Sequence, residues 1–464
     1  MRIRVLALAA GVVGALTLVS AQNEPRQVSL LVTGGTVVTV DAAGRVIPVG
    51  AVAIDGTDIV AVDTAENIAK QFRGRETIDA TGQIILPGLI NTHTHAAMVL
   101  YRGLADDLAL TEWLNKYIFP AEAKTVSPEF VRAGTRLAAL EMIQSGTTTF
   151  VDMYYFEEDV AAETKAAGLR GVLGQTIIQF PVADAKTPAD GLVRAEAFIK
   201  AFKDDPLITP AVAPHAMYTL DGPTLKAARE LSRRYNVPTL IHLAETRDEV
   251  QVAQERFKSS PVAYLDSLGF LGPGVLGAHG VWVSDADIAI LKTRGVGVSH
   301  NPESNMKLAS GTAPVPAYLR AEVNIGLGTD GAASNNDLDM FEAMRVASLL
   351  HKHTNVDPRV LSARTALEMA TIRGARALGL DRRIGSLEPR KFADLITVSA
   401  AGARQTPMYD PVSHLVYVMR GDDVRTTVVN GKVLMRNRKM LTLDESAVIA
   451  EGRAWSDKVR AAVK

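Results

Sequence analysis

Ile84-Ile85-Leu86-Pro87-Gly88-Leu89-Ile90-Asn91-Thr92-His93-Thr94-His95 is the stretch on which the reading of this chain turns. The run is apolar and rich in β-branched residues, which reads as a buried strand, and it ends in two histidines at i and i+2. On a strand that spacing sends both imidazoles to one side. Neutral imidazole is the commonest protein ligand for zinc and similar ions, so the pair makes half a metal site. Taken alone, the same pair is equally two hydrogen-bonded histidines at a strand end.

The chain changes character on either side of this stretch. From Val28 to about Ile85, short β-like runs such as Thr36-Val37-Val38-Thr39-Val40 and Ala51-Val52-Ala53-Ile54 are punctuated by Gly34-Gly35, Asp55-Gly56 and Thr81-Gly82. These are turn signals within a small sheet domain. Beyond His95, apolar runs alternate with helical stretches, the signature of a parallel α/β sheet or barrel. The candidate strands are 84–90, 147–153, 171–178, 208–214, 238–243, 275–278, 296–299 and 323–328, enough for a (β/α)8 barrel. A doubly wound open sheet is the alternative, but no Gly-rich phosphate loop follows an early strand. After Ala377 the pattern turns sheet-like again at 393–398 and 426–434. The expected fold is therefore α/β: a TIM-like (β/α)8 barrel over 86–385 inserted into a small discontinuous β-sandwich domain (26–85 and 386–442), with a C-terminal helix over 443–464.

Composition narrows the chemistry. A formal net charge of -1 and ordinary hydrophobic content give no reason to expect nucleic acid as a partner. The absence of cysteine removes disulfide scaffolds, thiol nucleophiles, Cys-ligated zinc and the nucleobase deaminases that hold zinc with cysteine. Any metal here must use histidine and carboxylate. Met1-Arg2-Ile3-Arg4, an apolar run from Val5 to about Ser20 and Val19-Ser20-Ala21 read as a signal peptide over 1–21. The run is short for a membrane span. The expectation is export, to the periplasm or outside the cell, with no membrane attachment after cleavage; an uncleaved anchor is the alternative.

Of the nine histidines, His93, His95, His215, His242 and His279 fall at C-terminal ends of expected barrel strands, the face where active sites of this barrel lie. His242 supplies a third metal ligand. Glu245, three residues on, reaches the barrel mouth as a general acid/base. Asp330 ends the eighth strand, where it closes the metal shell and takes a proton, or else caps the following helix. His300 is either a support behind the site or structural. His351 and His353 diverge on a helix and are expected in solvent, and His414 has no assigned role.

Together, PGLINTHTH, HLAE, GAHG, SHNP and GTDGAASNN resemble the amidohydrolase superfamily, in its order and over nearly the whole chain. RGLADDLALTEWL, FVDMYY, NPESNMKLASG and TDGAASNNDLDMFEAMRVASLL resemble the branch of S-adenosylhomocysteine and 5′-methylthioadenosine deaminases and s-triazine chlorohydrolases. The resemblance implies one metal per subunit, held by His93, His95, His242 and Asp330, and no lysine stands where binuclear relatives carry a bridging one. It also implies that Glu245 is the acid/base, that His279 holds the hydroxide, and that Glu122, His215 and Trp113 contact substrate. Gln175 stands where the adenosylhomocysteine deaminases carry arginine after strand three, with Arg194 the second candidate for that place. Dimers or tetramers are common in this branch.

The expected function is hydrolytic deamination of an amino-substituted N-heterocycle, best a purine or an adenosine-type nucleoside, by hydroxide generated at the metal. Loss of chloride or alkylamine from a triazine, or cyclic amide hydrolysis, is the alternative with the same constellation. A metal- or ligand-binding protein without catalysis is a third reading, against which Glu245 and Asp330 argue. Zinc is the default ion for these ligand types, with Fe2+ and Mn2+ open.

Overall fold

The computed structural model describes residues 24–463, so the expected signal segment lies outside the described residues. No helix among the described residues is long and apolar enough to cross a membrane.

Eight parallel strands form one sheet in chain order: Leu89–Thr94, Thr147–Tyr154, Arg170–Ile177, Ile208–Pro214, Thr239–Leu243, Val275–His279, Gly297–His300 and Asn324–Leu327. The first and eighth meet where the Thr92 hydroxyl donates to the Leu327 carbonyl at 2.8 Å and the Asp330 N–H donates to the His93 carbonyl at 2.9 Å. The ring of strands is thereby closed. Val151, Val172, Ala211, Leu240 and Leu276, from neighbouring strands, belong to one buried apolar cluster that fills the barrel below the histidines. Only the end carrying the histidines is left for chemistry.

The opening stretch is two strands, not one. Gln83–Pro87 belongs to the other sheet, antiparallel to Leu395–Ser399, and the barrel begins only at Leu89. Gly88 is the joint: a Cβ there would lie 2.1 Å from Thr148 Oγ1. Both halves are apolar and buried, so periodicity could not divide them. The second sheet has nine strands, five from Arg26–Val38 to Gln83–Pro87 and four from Leu395–Ser399 to Lys439–Met440. The chain leaves it for the barrel and returns. Leu30, Val32, Val52, Ile54, Leu395 and Val428 share its core. The C-terminal helix, Glu445–Val463, lies on the helix Pro128–Ser145, where Trp455 meets Phe130 edge-on and Glu451 accepts from Arg136.

A buried ion pair fastens sheet to barrel. Arg170 opens the third barrel strand and donates from Nε to Asp394 Oδ2 at 2.9 Å, while Asp394 Oδ1 accepts the Asn430 N–H at 2.7 Å. Removing one member of a buried pair leaves the other charge uncompensated. Asp394→Ala is expected to lower unfolding free energy by about 3–5 kcal/mol, read as a shift in denaturant midpoint, without moving KM.

Candidate active site

Each site residue ends a barrel strand or follows one. His93 lies within the first strand and His95 just past it, His215 follows the fourth, and His242 is in the fifth. His279 closes the sixth strand, and Asp330 stands three residues beyond the eighth. Three residues at this rim, Ala244, His279 and Asp330, have φ of 49°, 74° and 64°. Left-handed backbone is uncommon for residues with a Cβ and persists only where the surroundings enforce it. Here it turns the chain inward over the barrel mouth. Gly328 lets the eighth strand come close enough, since a Cβ there would lie 2.8 Å from the His93 nitrogen.

The ligand atoms converge. Those of His93, His95 and Asp330 lie within 4.8 Å of one another, as do those of His93, His242 and His279. Asp330 Oδ1 is 3.4 Å from His93 Nε2 and 3.3 Å from His95 Nε2, and His95 and His242 face each other Nε2 to Nε2 at 3.4 Å. His95 Nδ1 donates to the Met153 carbonyl at 2.7 Å and His242 Nδ1 to the His215 carbonyl at 2.8 Å. Each bond fixes the tautomer and leaves an Nε2 lone pair aimed at the common centre. His93 Nε2 is buried with no hydrogen-bond partner. Burial keeps His242 well below its ordinary pKa range and His215 at about 3, so both are neutral. His95 is the exception, since the adjacent Asp330 carboxylate outweighs desolvation and raises it to about 9. With that proton given up, three imidazoles, the orphaned His93 nitrogen among them, and a carboxylate are the donor set of a divalent metal centre with room for water.

Asp330 is held from behind. Its Oδ2 accepts from the Ser304 hydroxyl at 2.7 Å and the Ser334 hydroxyl at 3.0 Å, and its Oδ1 from the Gly331 N–H at 2.8 Å. Burial alone would raise its pKa, but the close approach of the His93 and His95 imidazoles prevails and holds it well below the carboxylate range. Glu245 Oε2 stands 3.8 Å from His279 Nε2, and its Oε1 accepts from the Ser310 hydroxyl at 3.3 Å. Burial raises the Glu245 pKa, and the nearby Asp330 charge adds to this. His279 Nδ1 donates to Asn305 Oδ1 at 2.8 Å, presenting its Nε2 lone pair to the site.

A chamber opens above this centre, lined by Trp113, Glu122, Tyr154 and His215 among others, with Glu245, His279 and Asp330 at its floor. Glu122 is buried and accepts from the Tyr154 hydroxyl at 2.7 Å. Gln175 requires correction, because it does not line the chamber. Side chains alternate along a strand, so Thr176 faces in while the Gln175 amide donates to Asp184 Oδ2 at 2.8 Å. Arg194 also points elsewhere, paired with Glu158 and Asp184.

His351 is the second correction. It is fully buried, with its Nε2 3.1 Å from His300 Nε2, whereas His353 is exposed. His351 continues the buried stripe Met344, Ala347, Ser348 of the helix Met340–Asn355, a 3.6-residue period visible in the sequence. His300 is thus committed to the helix layer. His414, expected among sheet residues, sits on the short helix Pro411–Tyr417.

Several supporting residues were not read from the sequence: Tyr154, Asn305, Ser304, Ser334, Asp152 and Glu249. Asp152 Oδ1 accepts the Ala96 N–H next to His95 at 2.5 Å. Glu249 accepts the N–H groups of Ala244 and Glu245, each at 2.9 Å, and so holds the turn that aims Glu245. Its position four residues after Glu245, at the start of the helix Arg247–Phe257, was the available signal.

Fold and site together define a barrel with the donor set of a divalent metal at its mouth, and the class of hydrolase acting on carbon–nitrogen bonds follows from its relatives. Residues 84–434 match the amidohydrolase family, and the chain belongs to it. It is 48% identical over 424 residues to a 5-methylthioadenosine/S-adenosylhomocysteine deaminase of Syntrophobacter fumaroxidans, covering 91% of this chain and 97% of that protein. It is 43% identical over 438 residues to a 5′-deoxyadenosine deaminase of Methanosarcina mazei, covering 94% and 99%. The solved structure of an adenosine deaminase from Xanthomonas campestris with bound zinc superposes with a TM-score of 0.93 at 39% identity, covering 94% of this chain and all of that one.

Proposed function

We propose that this chain hydrolytically deaminates an adenosine-type nucleoside, releasing ammonia and leaving a ring carbonyl. The observation that carries this reading is Glu245: a buried carboxyl of raised pKa, set beside His279 and Asp330 at the floor of a chamber walled by aromatic residues. The relatives' substrates support it.

His93, His95, His242 and Asp330 would hold one divalent ion, with zinc the best match to three imidazoles and a carboxylate. Such an ion supplies Lewis acidity that brings a water's pKa toward neutrality. His279 Nε2 accepts a hydrogen bond from the attacking water and orients it. Glu245 carries a proton to the ring nitrogen beside the carbon under attack. Asp330 takes the second water proton and hands it to the departing amine. Trp113 offers a face for the ring, and His215 lines the wall beside it. The basic and apolar start of the sequence supports export of the enzyme.

Glu122 is assigned the ribose hydroxyls. Burial pushes its carboxyl up to about 7, against the Tyr154 bond, which lowers it. An ionised carboxylate accepts from both hydroxyls of a diol, whereas the protonated acid must spend one oxygen as a donor. The acid predominates below about pH 7, so KM for a nucleoside is expected to rise as pH falls through this value. Glu122→Gln is expected to raise KM about tenfold to a hundredfold, the worth of charge-assisted hydrogen bonds, and to abolish that limb of the profile. A KM that is flat with pH in the parent enzyme refutes the assignment.

Ammonia release measured over adenosine-type nucleosides, free purines, pterins and amino-triazines tests the reading as a whole. Turnover of nucleosides at the highest kcat/KM is expected. Turnover confined to triazines or cyclic amides overturns it.

A further inference from the structure

The chamber continues into a second space. Leu110, Leu114, Phe119 and Tyr218 line it and also line an outer groove of about 320 Å3, to which Phe180 and Val252 add apolar surface. Among the described residues no lysine or arginine lines either space, and the carboxylates on the groove are Asp248 and Glu249. Glu249 is buried beneath its backbone partners, while Asp248 is exposed at the edge.

The cations nearby are engaged elsewhere. Arg194 is tied to Glu158 and Asp184 with its guanidinium 5.4 Å from the Phe156 ring, and Arg247 lies 4.3 Å over the Trp282 ring in a separate hollow. Lys116 pairs with Glu112, and Lys307 with Asp106.

Resting on the nucleoside reading above, we propose that this groove seats the 5′ substituent and selects uncharged, apolar 5′ groups over zwitterionic ones. With the ring amine at the floor and the ribose at Glu122, the 5′ group is the part farthest from the floor. The shared apolar wall leads it outward. A methylthio group or a bare 5′ methyl is matched by Leu114, Phe119 and Phe180. The amino-acid end of S-adenosylhomocysteine is not: its ammonium group meets Asp248, but its carboxylate arrives among apolar groups and carboxylates with no cation to receive it. Partly desolvating an unpaired charge disfavours the longer substrate without touching the chemistry at the ring.

The test compares kcat/KM for 5′-methylthioadenosine, 5′-deoxyadenosine and S-adenosylhomocysteine, using the metal-loaded full-length enzyme and ammonia release. The first two are expected to exceed the third by about tenfold or more. Asp248→Lys supplies the missing cation and is expected to move the ratio severalfold toward S-adenosylhomocysteine, a ratio that a general loss of active protein would not move. Equal constants for the three in the parent enzyme overturn the proposal, as does a ratio indifferent to Asp248→Lys. If no nucleoside turns over while another heterocycle does, the nucleoside reading itself has failed, and this inference falls with it.

Discussion

Glu245→Gln is expected to lose about a thousandfold in kcat, within the range that a positioned general acid or base contributes, while keeping its full complement of bound ion. Glutamine has nearly the shape of glutamate and retains an oxygen for Ser310, but it cannot carry a proton. Glu245 stands outside both groups of converging ligand atoms, with its Oε2 3.8 Å from His279 Nε2. Loss of the ion is therefore not the route by which activity falls. KM should change little, because the missing interaction acts in the transition state. Rates near the parent value would mean that the proton at the ring nitrogen comes from another group. Glu249→Gln makes a milder companion, since it loosens the turn at Ala244 and Glu245 without removing the proton carrier.

The second large effect concerns the ion. Asp330→Ala and His242→Ala are each expected to fall far below stoichiometric metal on elemental analysis and to lose about a thousandfold or more in activity, the several kcal/mol that a Lewis acid contributes. Asp330 brings the negative charge, and without it three neutral imidazoles face the cation alone. Its loss also strands the hydroxyls of Ser304 and Ser334, which donate to it. Chelation of the parent enzyme should lower its melting temperature, because an ion bound only by the folded state stabilises by about 3–4 kcal/mol at a hundred to a thousand times its Kd. Return of activity with zinc, ferrous or manganous ions ranks the metals. His353→Ala, on the exposed side of its helix, should change neither metal nor rate. Stoichiometric metal retained in both the Asp330 and His242 variants would remove those residues from the ligand set.

Much of the site was legible because a (β/α)8 barrel gathers the C-terminal ends of its strands at one face. A histidine written after an apolar run is then already near every other such histidine, however distant in sequence. His93, His95, His215, His242, His279 and Asp330 could all be picked out this way. Gln175 could not, because its family position says nothing about which way the side chain faces two residues before a strand end. His351 was misread for the opposite reason: the i, i+2 pair with His353 drew attention from the buried stripe that contains it.

The sequence by itself determined the alternation of strands and helices, the chemical types of the ligands and the presence of a proton-carrying glutamate beyond the fifth strand. These follow from hydrophobic period and residue chemistry, which are local. Only the tertiary structure decided that Ile84-Ile85-Leu86 and Leu89-Ile90 serve different sheets, that Glu249 and Tyr154 hold the acidic groups in place, and that no lysine or arginine among the described residues lines the outer groove. Those depend on which backbone N–H groups, hydroxyls and side chains meet across hundreds of residues, and hydrogen-bond pairing and charge neighbourhood are properties of the folded chain rather than of any stretch of it.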